Sequence, residues 1–360
     1  MQLGKSNTMI KIVYSQLMNK QQINAVKELL SIPRKIVLVA HKNPDGDAIG
    51  STLAMQHYLI SKGHTARTVL PNDVPEFLKW SPGIDTVYKY DKQNKQSKNA
   101  IDGSEIIFLL DFNAFHRVGD DMQKALEEYK GTFIMIDHHQ QPDSVSEFIY
   151  SDTSICSTCQ MVYHFIDMLG DVDLIDANMA TCMYTGIMTD TGSFRFPSTT
   201  STTHKIIGDL IDKGADNAKI HDEVFNTSSY SSLQLMGVAL TNLVIMPEFH
   251  AAYITLSQQE LDTYNYKKGD TEGLVNYGLS IKGIYFAAIF IEDEEQNIIK
   301  ISLRSKGNFS VNKFSRNHFN GGGHDNAAGG RSEVSLLETV ENFVGLLPTY
   351  KKELEASYEN

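Results

Sequence analysis

The sequence predicts an α/β protein, a doubly wound and mostly parallel sheet followed by a smaller α/β unit. Short β-branched runs, apolar on both faces, alternate with helix-spaced segments; strands buried between two helical layers have this pattern. A length of 360 residues with 41% hydrophobic content is enough for two cores. The α/β rhythm fades once, near Val224 to Ser232, and resumes in a different form.

In chain order, the first 20 or so residues show no partner pattern and read as a loose extension, with Met9 an alternative start. "QQINAVKELL" has helical periodicity and "KIVLVA" (Lys35 to Ala40) reads as a buried strand. Asn43-Pro44-Asp45-Gly46 is a strong turn signal, and Gly46 is expected to let the backbone fold so that neighbouring carboxylates converge. The helix-like "GSTLAMQHYLISKG" precedes strands "TARTVL" (Thr65 to Leu70), "EIIFLLD" (Glu105 to Asp111) and "TFIMID" (Thr132 to Asp137). Between them, "DKQNKQSKN" (Asp91 to Asn99) reads as a polar surface loop. "TCMYTGIMTDTGSFRF" and the helical "THKIIGDLIDKG" complete a first domain, residues 20–225. "LQLMGVALTNLVI" is expected to be one helix within a linker, residues 226–244. A second domain, residues 245–350, follows with strands in "HAAYITLS", "GIYFAAIFIE" and "IIKISLRS", the cluster "NGGGHDNAAGG" and a C-terminal helix.

The formal charge of -12 disfavours a protein that coats long nucleic acid, because that affinity comes from neutralising many phosphates. It leaves room for a short phosphorylated ligand in a local basic pocket. No apolar run reaches eighteen residues, "MIKIVYSQLM" is too short and polar for a secretory signal, and a cytoplasmic protein without membrane attachment is expected. Cys156, Cys159 and Cys182 are too few for a disulfide framework, and Cys156-Ser-Thr-Cys159 reads as small buried residues leading into a helix rather than a redox or zinc motif.

The polar clusters fall where such sheets bind ligands, at the carboxyl ends of strands. His41, Asp45 and Asp47 follow the first strand, and Asp111 ends an otherwise apolar one. Asp137, His138 and His139 end another, and Asp190 closes the apolar run of "MYTGIMTD". A buried charge is costly unless paired or bound to metal, so four such clusters argue for a shared purpose. Four Asp with two or three His suit two divalent ions about 3.5 to 4 Å apart, which would serve in-line attack of hydroxide on phosphorus. Mixed imidazole and carboxylate donors favour Mn2+, with Co2+ or Mg2+ as substitutes.

The second domain carries a complementary patch. Lys300, Arg304, Lys306, Lys313, Arg316 and Arg331 stand against a single acidic residue, Asp325, and enclose Gly321, Gly322, Gly323 and His324. Glycines at this place could present backbone N–H groups to a phosphate, with Arg304 and His324 as clamps. Neither a Walker loop nor a dinucleotide fingerprint is present.

"HKNPDGDAIGS", "LLD" at Asp111, "DHH" at Asp137 to His139, "MTDTGSFRF" and "GGGHDNAAGG" resemble, in order and spacing, the DHH/DHHA1 phosphoesterases, most nearly the bacterial nanoRNase and pAp phosphatase branch. The resemblance covers residues 20 to 345 or so. It implies a DHH domain holding one metal on His41, Asp45 and Asp111, and a second on Asp47, Asp111, His138 and Asp190, with Asp111 as bridge. It implies that His139 faces the scissile phosphate or orients the site, and that Asp137 supports the imidazoles. In the DHHA1 domain, Arg304, Gly321, Gly322, Gly323 and His324 would bind the substrate's terminal phosphate, which the resemblance implies puts the active site in a cleft between the two domains.

The implied activity is hydrolysis of very short oligoribonucleotides and linear dinucleotides such as pGpG and pApA, with pAp as a further substrate; a homodimer is compatible with it. Two alternatives are a plain pAp phosphomonoesterase and a regulator that binds dinucleotides without turnover. Family-II pyrophosphatases lack the GGGH cluster, RecJ-like exonucleases are longer, and the membrane-bound cyclic-dinucleotide phosphodiesterases carry membrane and sensory segments; all three rank lower.

Overall fold

The computed structural model describes residues 18–267 and 269–359, so the expectations for Met9 and for the extension up to residue 17 fall outside the described residues. The chain divides into two compact units, residues 1–226 and 227–360.

In the first unit six strands, β1 (Lys35–Val39), β2 (Thr65–Leu70), β3 (Tyr88–Lys89), β4 (Ile106–Leu110), β5 (Thr132–Asp137) and β6 (Phe148–Ser151), form one sheet in the order β3-β2-β1-β4-β5-β6. Every neighbouring pair is parallel. Helices α1 (Lys20–Leu29), α2 (Gly46–Ser61), α3 (Asn94–Asp102), α4 (Asp120–Glu128), α5 (Thr158–Leu169), α6 (Ala177–Asp190), α7 (Ser201–Asp212) and α8 (Asn217–Phe225) complete the unit. Two cores explain the two-sided apolar strands. Ile36, Leu38, Phe108 and Leu110 face one, with α2, α5 and α6; Val37, Val39, Ile107 and Leu109 face the other, with α3 and α4. The unit is therefore doubly wound.

Strand order fixes where a ligand can enter. The chain lays down β1, β2 and β3 in one direction, then returns to place β4 on the far side of β1. The crevice at the carboxyl ends of β1 and β4 is thus the switch point of the sheet, where α/β proteins bind ligands. His41 lies just beyond β1, and Asp111 directly follows β4.

Several sequence expectations need correction. Only the first three residues of "DKQNKQSKN" are loop; from Asn94 it forms the start of α3, which docks on its neighbours by burying Ser97 and Ile101, one turn apart. Gly46 does not supply a turn conformation; Asn43 takes the left-handed backbone (φ 57°), while Gly46 opens α2. Glycine is required there by packing, since a Cβ would come within 2.3 Å of Thr189 on α6. Asp45 is the N-cap of α2 and Asp47 sits in its first turn, so only the start of the motif is loop.

The second unit holds β7 (Val244–Met246), β8 (Ala251–Leu256), β9 (Phe286–Asp293), β10 (Ile298–Ser305), β11 (Gly322–His324) and β12 (Ala327–Ser332) in the order β11-β12-β10-β9-β8-β7, antiparallel except for β8 with β9. Helices α9 (Tyr230–Thr241), α10 (Gln258–Thr263), α11 (Val275–Ser280), α12 (Val311–His318) and α13 (Leu336–Glu359) accompany it. "LQLMGVALTNLVI" is not one helix: α9 stops at Thr241, and Val244 to Met246 pair with β8. The glycine cluster is likewise an ordered hairpin, β11 with β12, rather than irregular chain.

Candidate metal centre

The loop after β1, the start of α2, the ends of β4 and β5 and the end of α6 bring His41, Asp45, Asp47, Asp111, Asp137, His138, His139 and Asp190 together. Asp111 is the hub. Its left-handed backbone (φ 64°), which Asp tolerates better than most residues, turns the chain sharply as it leaves β4. Asp111 Oδ2 lies 3.4 Å from His41 Nε2, and Oδ1 lies 3.5 Å from His138 Nε2. The two oxygens thus face two different groups of side chains.

His41, Asp45 and Asp111 form one group, with His41 Nε2 3.8 Å from Asp45 Oδ2. Asp47, Asp111 and His138 form the other, with His138 Nε2 3.9 Å from Asp47 Oδ2 and 3.5 Å from Asp190 Oδ2. These separations are too long for good hydrogen bonds. They suit donors about 2.1 Å from a shared ion, which stand roughly 3 to 4 Å apart depending on angle.

The imidazoles are set up for the same purpose. Nδ1 of His41 donates to the Lys42 carbonyl at 3.0 Å, and Nδ1 of His138 to the Ile155 carbonyl at 3.1 Å. A carbonyl can only accept, so the proton of each neutral ring sits on Nδ1 and the Nε2 lone pair faces the carboxylates. This outer support is typical of imidazoles that bind metal.

Electrostatics points the same way. Asp47 and Asp111 are almost fully buried, and among the described residues no Lys or Arg forms an ion pair with either of them or with Asp190. Burial pushes Asp47 well above the carboxylate range, aided by the charges of Asp111 and Asp190, and raises Asp190 to about 7. Asp111 is held low: burial opposes its charge, but His41, His139 and His138 outweigh it. Burial also disfavours charge on His41 and His138, yet the surrounding carboxylates raise both to about 9. Without an ion, two imidazolium groups supply the positive charge that two divalent ions would supply better. The donor set fits such ions.

Asp137 grips His139, accepting its backbone N–H at 3.0 Å and its Nδ1–H at 2.7 Å. That ring contact places the proton of the neutral His139 imidazole on Nδ1. Nδ1 of His138 is held by the Ile155 carbonyl, while the Asp137 charge acts on that ring through space.

Sequence reasoning missed the opposite wall of the site, the N-terminus of α5. Thr158 N and Cys159 N donate to the two oxygens of Asp47 at 2.6 and 2.8 Å, and Thr158 Oγ1 donates to Asp111 Oδ1 at 3.0 Å. The readable signal was Ser157-Thr-Cys-Gln160, a helix start in which Ser157 caps Gln160 N at 3.1 Å. Cys156, Cys159 and Cys182 are free and buried.

In the second unit, strand register places Arg304 opposite Ala327, and Ala327 opposite His324. Side chains directly opposite in antiparallel strands share a face, so Arg304 and His324 flank one small residue at about 9 to 10 Å, two strand spacings. Gly322 and Gly329, paired two residues further along, lie on the same face. Asn312 Oδ1 on α12 accepts from Gly323 N at 3.2 Å and Arg316 Nε at 3.1 Å, which ties the hairpin to the helix.

A doubly wound sheet gathering carboxylates and imidazoles at its switch point defines the class: a hydrolase of phosphoester bonds whose donors could hold divalent ions. The chain belongs to the DHH family: residues 35–187 match the DHH family N-terminal domain and residues 249–350 the DHHA1 domain. It is 30% identical to the bifunctional oligoribonuclease and PAP phosphatase NrnA of Thermus thermophilus, over 93% of this chain and 95% of that protein. Identity to the protein of that name from Bacillus subtilis is 26%, over 91% and 97%. Among solved structures it matches an exopolyphosphatase-related protein from Bacteroides fragilis with a TM-score of 0.91 and 38% identity, covering 95% of this chain and all of that one. No helix among the described residues is long and apolar enough to cross a membrane.

Proposed function

We propose that this chain is a manganese-dependent phosphodiesterase acting on very short oligoribonucleotides and linear dinucleotides such as pGpG and pApA, with pAp as a second substrate. The observation that carries the reading is the sharing of Asp111 between two donor groups, one oxygen to each. His41, Asp45 and Asp111 would hold one ion, and Asp47, Asp111, His138 and Asp190 the other, within a catalytic domain of residues 20–225. Bound ions of this kind lower the pKa of a water and offset charge on the phosphoryl oxygens. The chain's own residues fix the geometry. The amides of α5 hold Asp47, carbonyls hold both ligand imidazoles, and Asp137 fixes the tautomer of His139, which stands ready to exchange a proton with the phosphate or leaving group.

Residues 245–350 supply the substrate-binding part, reached through residues 226–244. Arg304 and His324 receive the terminal phosphate, and Gly321, Gly322 and Gly323 let it approach the backbone. Burial lowers the pKa of Arg304, opposed by Glu272; its charge is thus poorly hydrated, which favours an anion beside it. The names of the Thermus and Bacillus relatives support both the nuclease and the pAp activities.

The test is a comparison of rates with Mn2+ on pApA, pAp, pyrophosphate, a cyclic dinucleotide and RNAs of graded length. Fast cleavage of pApA and of RNAs up to about five units, with little on the others except pAp, is expected. Equal rates on long and short RNA would overturn the length limit, and activity on pyrophosphate alone would overturn the reading.

A further inference from the structure

The segment that leaves α6 after Asp190 has an uncommon backbone. Gly192 (φ 56°), Ser193 (φ 61°) and Phe194 (φ 67°) are three successive residues in the left-handed region. Glycine enters it freely, but serine and phenylalanine do so at a steric cost and persist there only when their surroundings hold them.

Thr191 is the main restraint. Its carbonyl accepts from Arg195 N at 2.9 Å and Phe196 N at 3.1 Å. Its hydroxyl accepts from Phe194 N at 3.0 Å while donating to Ile187 O at 2.6 Å. Ser193 N donates to Met188 O at 2.8 Å, and the Phe194 ring packs on Tyr184 and His204.

The result is a fixed presentation of two exposed side chains. Arg195 Nε donates to Gly192 O at 2.7 Å, which orients the guanidinium and leaves its terminal nitrogens without another hydrogen bond among the described residues. Phe196 is 43% exposed, and one part of its ring lies so close to Gly192 that a Cβ there would come within 2.6 Å. An exposed Arg or Phe is ordinary by itself. Here both follow a candidate ion ligand within six residues, on a strained turn held by at least five hydrogen bonds, in a chain of net charge -12. A guanidinium and an aromatic ring that both lie against Gly192 match the two parts of a nucleotide, phosphate and base.

We propose that Arg195 and Phe196 form a nucleotide subsite on the ion-bearing unit, Arg195 taking a phosphate of the substrate and Phe196 stacking on its base. The proposal rests on the nucleotide reading given above. It is tested by titrating the Mn2+-loaded full-length protein with AMP and with inorganic phosphate by calorimetry, beside KM for pApA. Wild type is expected to prefer AMP to phosphate. Phe196→Ala should weaken AMP about tenfold and phosphate far less, Phe196→Tyr should restore AMP, and Arg195→Gln should raise KM for pApA more than it lowers kcat. Should Phe196→Ala fail to fold, Arg195→Gln and Phe196→Tyr still decide the matter. A wild type that prefers AMP and cleaves pApA, with variants that keep its AMP preference and KM, overturns the subsite alone. A wild type that neither prefers AMP nor cleaves pApA overturns the nucleotide reading and the subsite with it.

Discussion

The hydroxyl of Thr158 donates to Asp111 Oδ1 at 3.0 Å, so a residue on α5 steadies the carboxylate shared by both donor groups. The amide of the same residue donates to Asp47 Oδ2 at 2.6 Å. Replacing the hydroxyl with a methyl leaves the amide bond in place but frees Asp111. Thr158→Val is predicted to weaken Mn2+ binding about 10- to 100-fold, the usual cost of losing an outer support, and Thr158→Ser to retain it. Calorimetry decides the point, and a valine variant with wild-type affinity would remove Thr158 from the account.

Asp137 accepts both the backbone and the ring N–H of His139. Asn can keep one of these contacts, but its amide no longer stabilises a charged imidazole. Asp137→Asn is therefore predicted to lower kcat about 10- to 100-fold with little change in KM. If KM rises and kcat holds, His139 serves substrate binding instead of proton exchange.

The candidate residues His41, Asp111, Asp137, His138 and Asp190 were legible because each lies at or just past the end of an apolar element, and Asp45 and Asp47 because they flank Gly46 in a turn signal. The wall built by α5 was not. Its donors are mainly backbone N–H groups, which every residue but proline carries and which leave no trace in side-chain type. The doubly wound sheet followed from the apolar runs of β1 and β4. By contrast α3 is polar along most of its length and owes its place to the burial of Ser97 and Ile101. The hairpin of β11 and β12 was hidden because glycine is a poor strand former; close packing on α12 selects it here.

Stability without ions should fall as pH rises. Folding raises His41 and His138 from 6.5 to about 9, and Asp190 from 3.8 to about 7. The native state therefore holds more protons than the unfolded one between pH 4 and 9. Stability is fully present below each unfolded value and is lost through each folded one. Metal binding displaces those protons, so its contribution grows with pH. The Tm of chelator-treated protein is predicted to decrease from pH 6 to pH 9, while the increment given by Mn2+ increases. A chelated Tm that climbs over this range would contradict the assignment.

The glycines of the hairpin have separable roles. A Cβ at Gly321 would come within 1.9 Å of the Gly329 carbonyl, whereas one at Gly322 meets nothing nearer than 3.5 Å. Gly321→Ala is predicted to cost about 1 to 3 kcal/mol by overpacking, read in a denaturant melt. Gly322→Ala should leave the melt unchanged yet raise KM for pAp if the open space beside Gly322 receives the phosphate as proposed. An unchanged KM would deny the hairpin that role.

The central claim is that one carboxylate joins two ions, and calorimetric titration of Mn2+ into wild type and Asp111→Asn tests it most directly. Wild type should bind two equivalents, and the variant should lose high affinity for both. A variant that still binds one equivalent with wild-type affinity would show that Asp111 serves a single ion and would contradict the account.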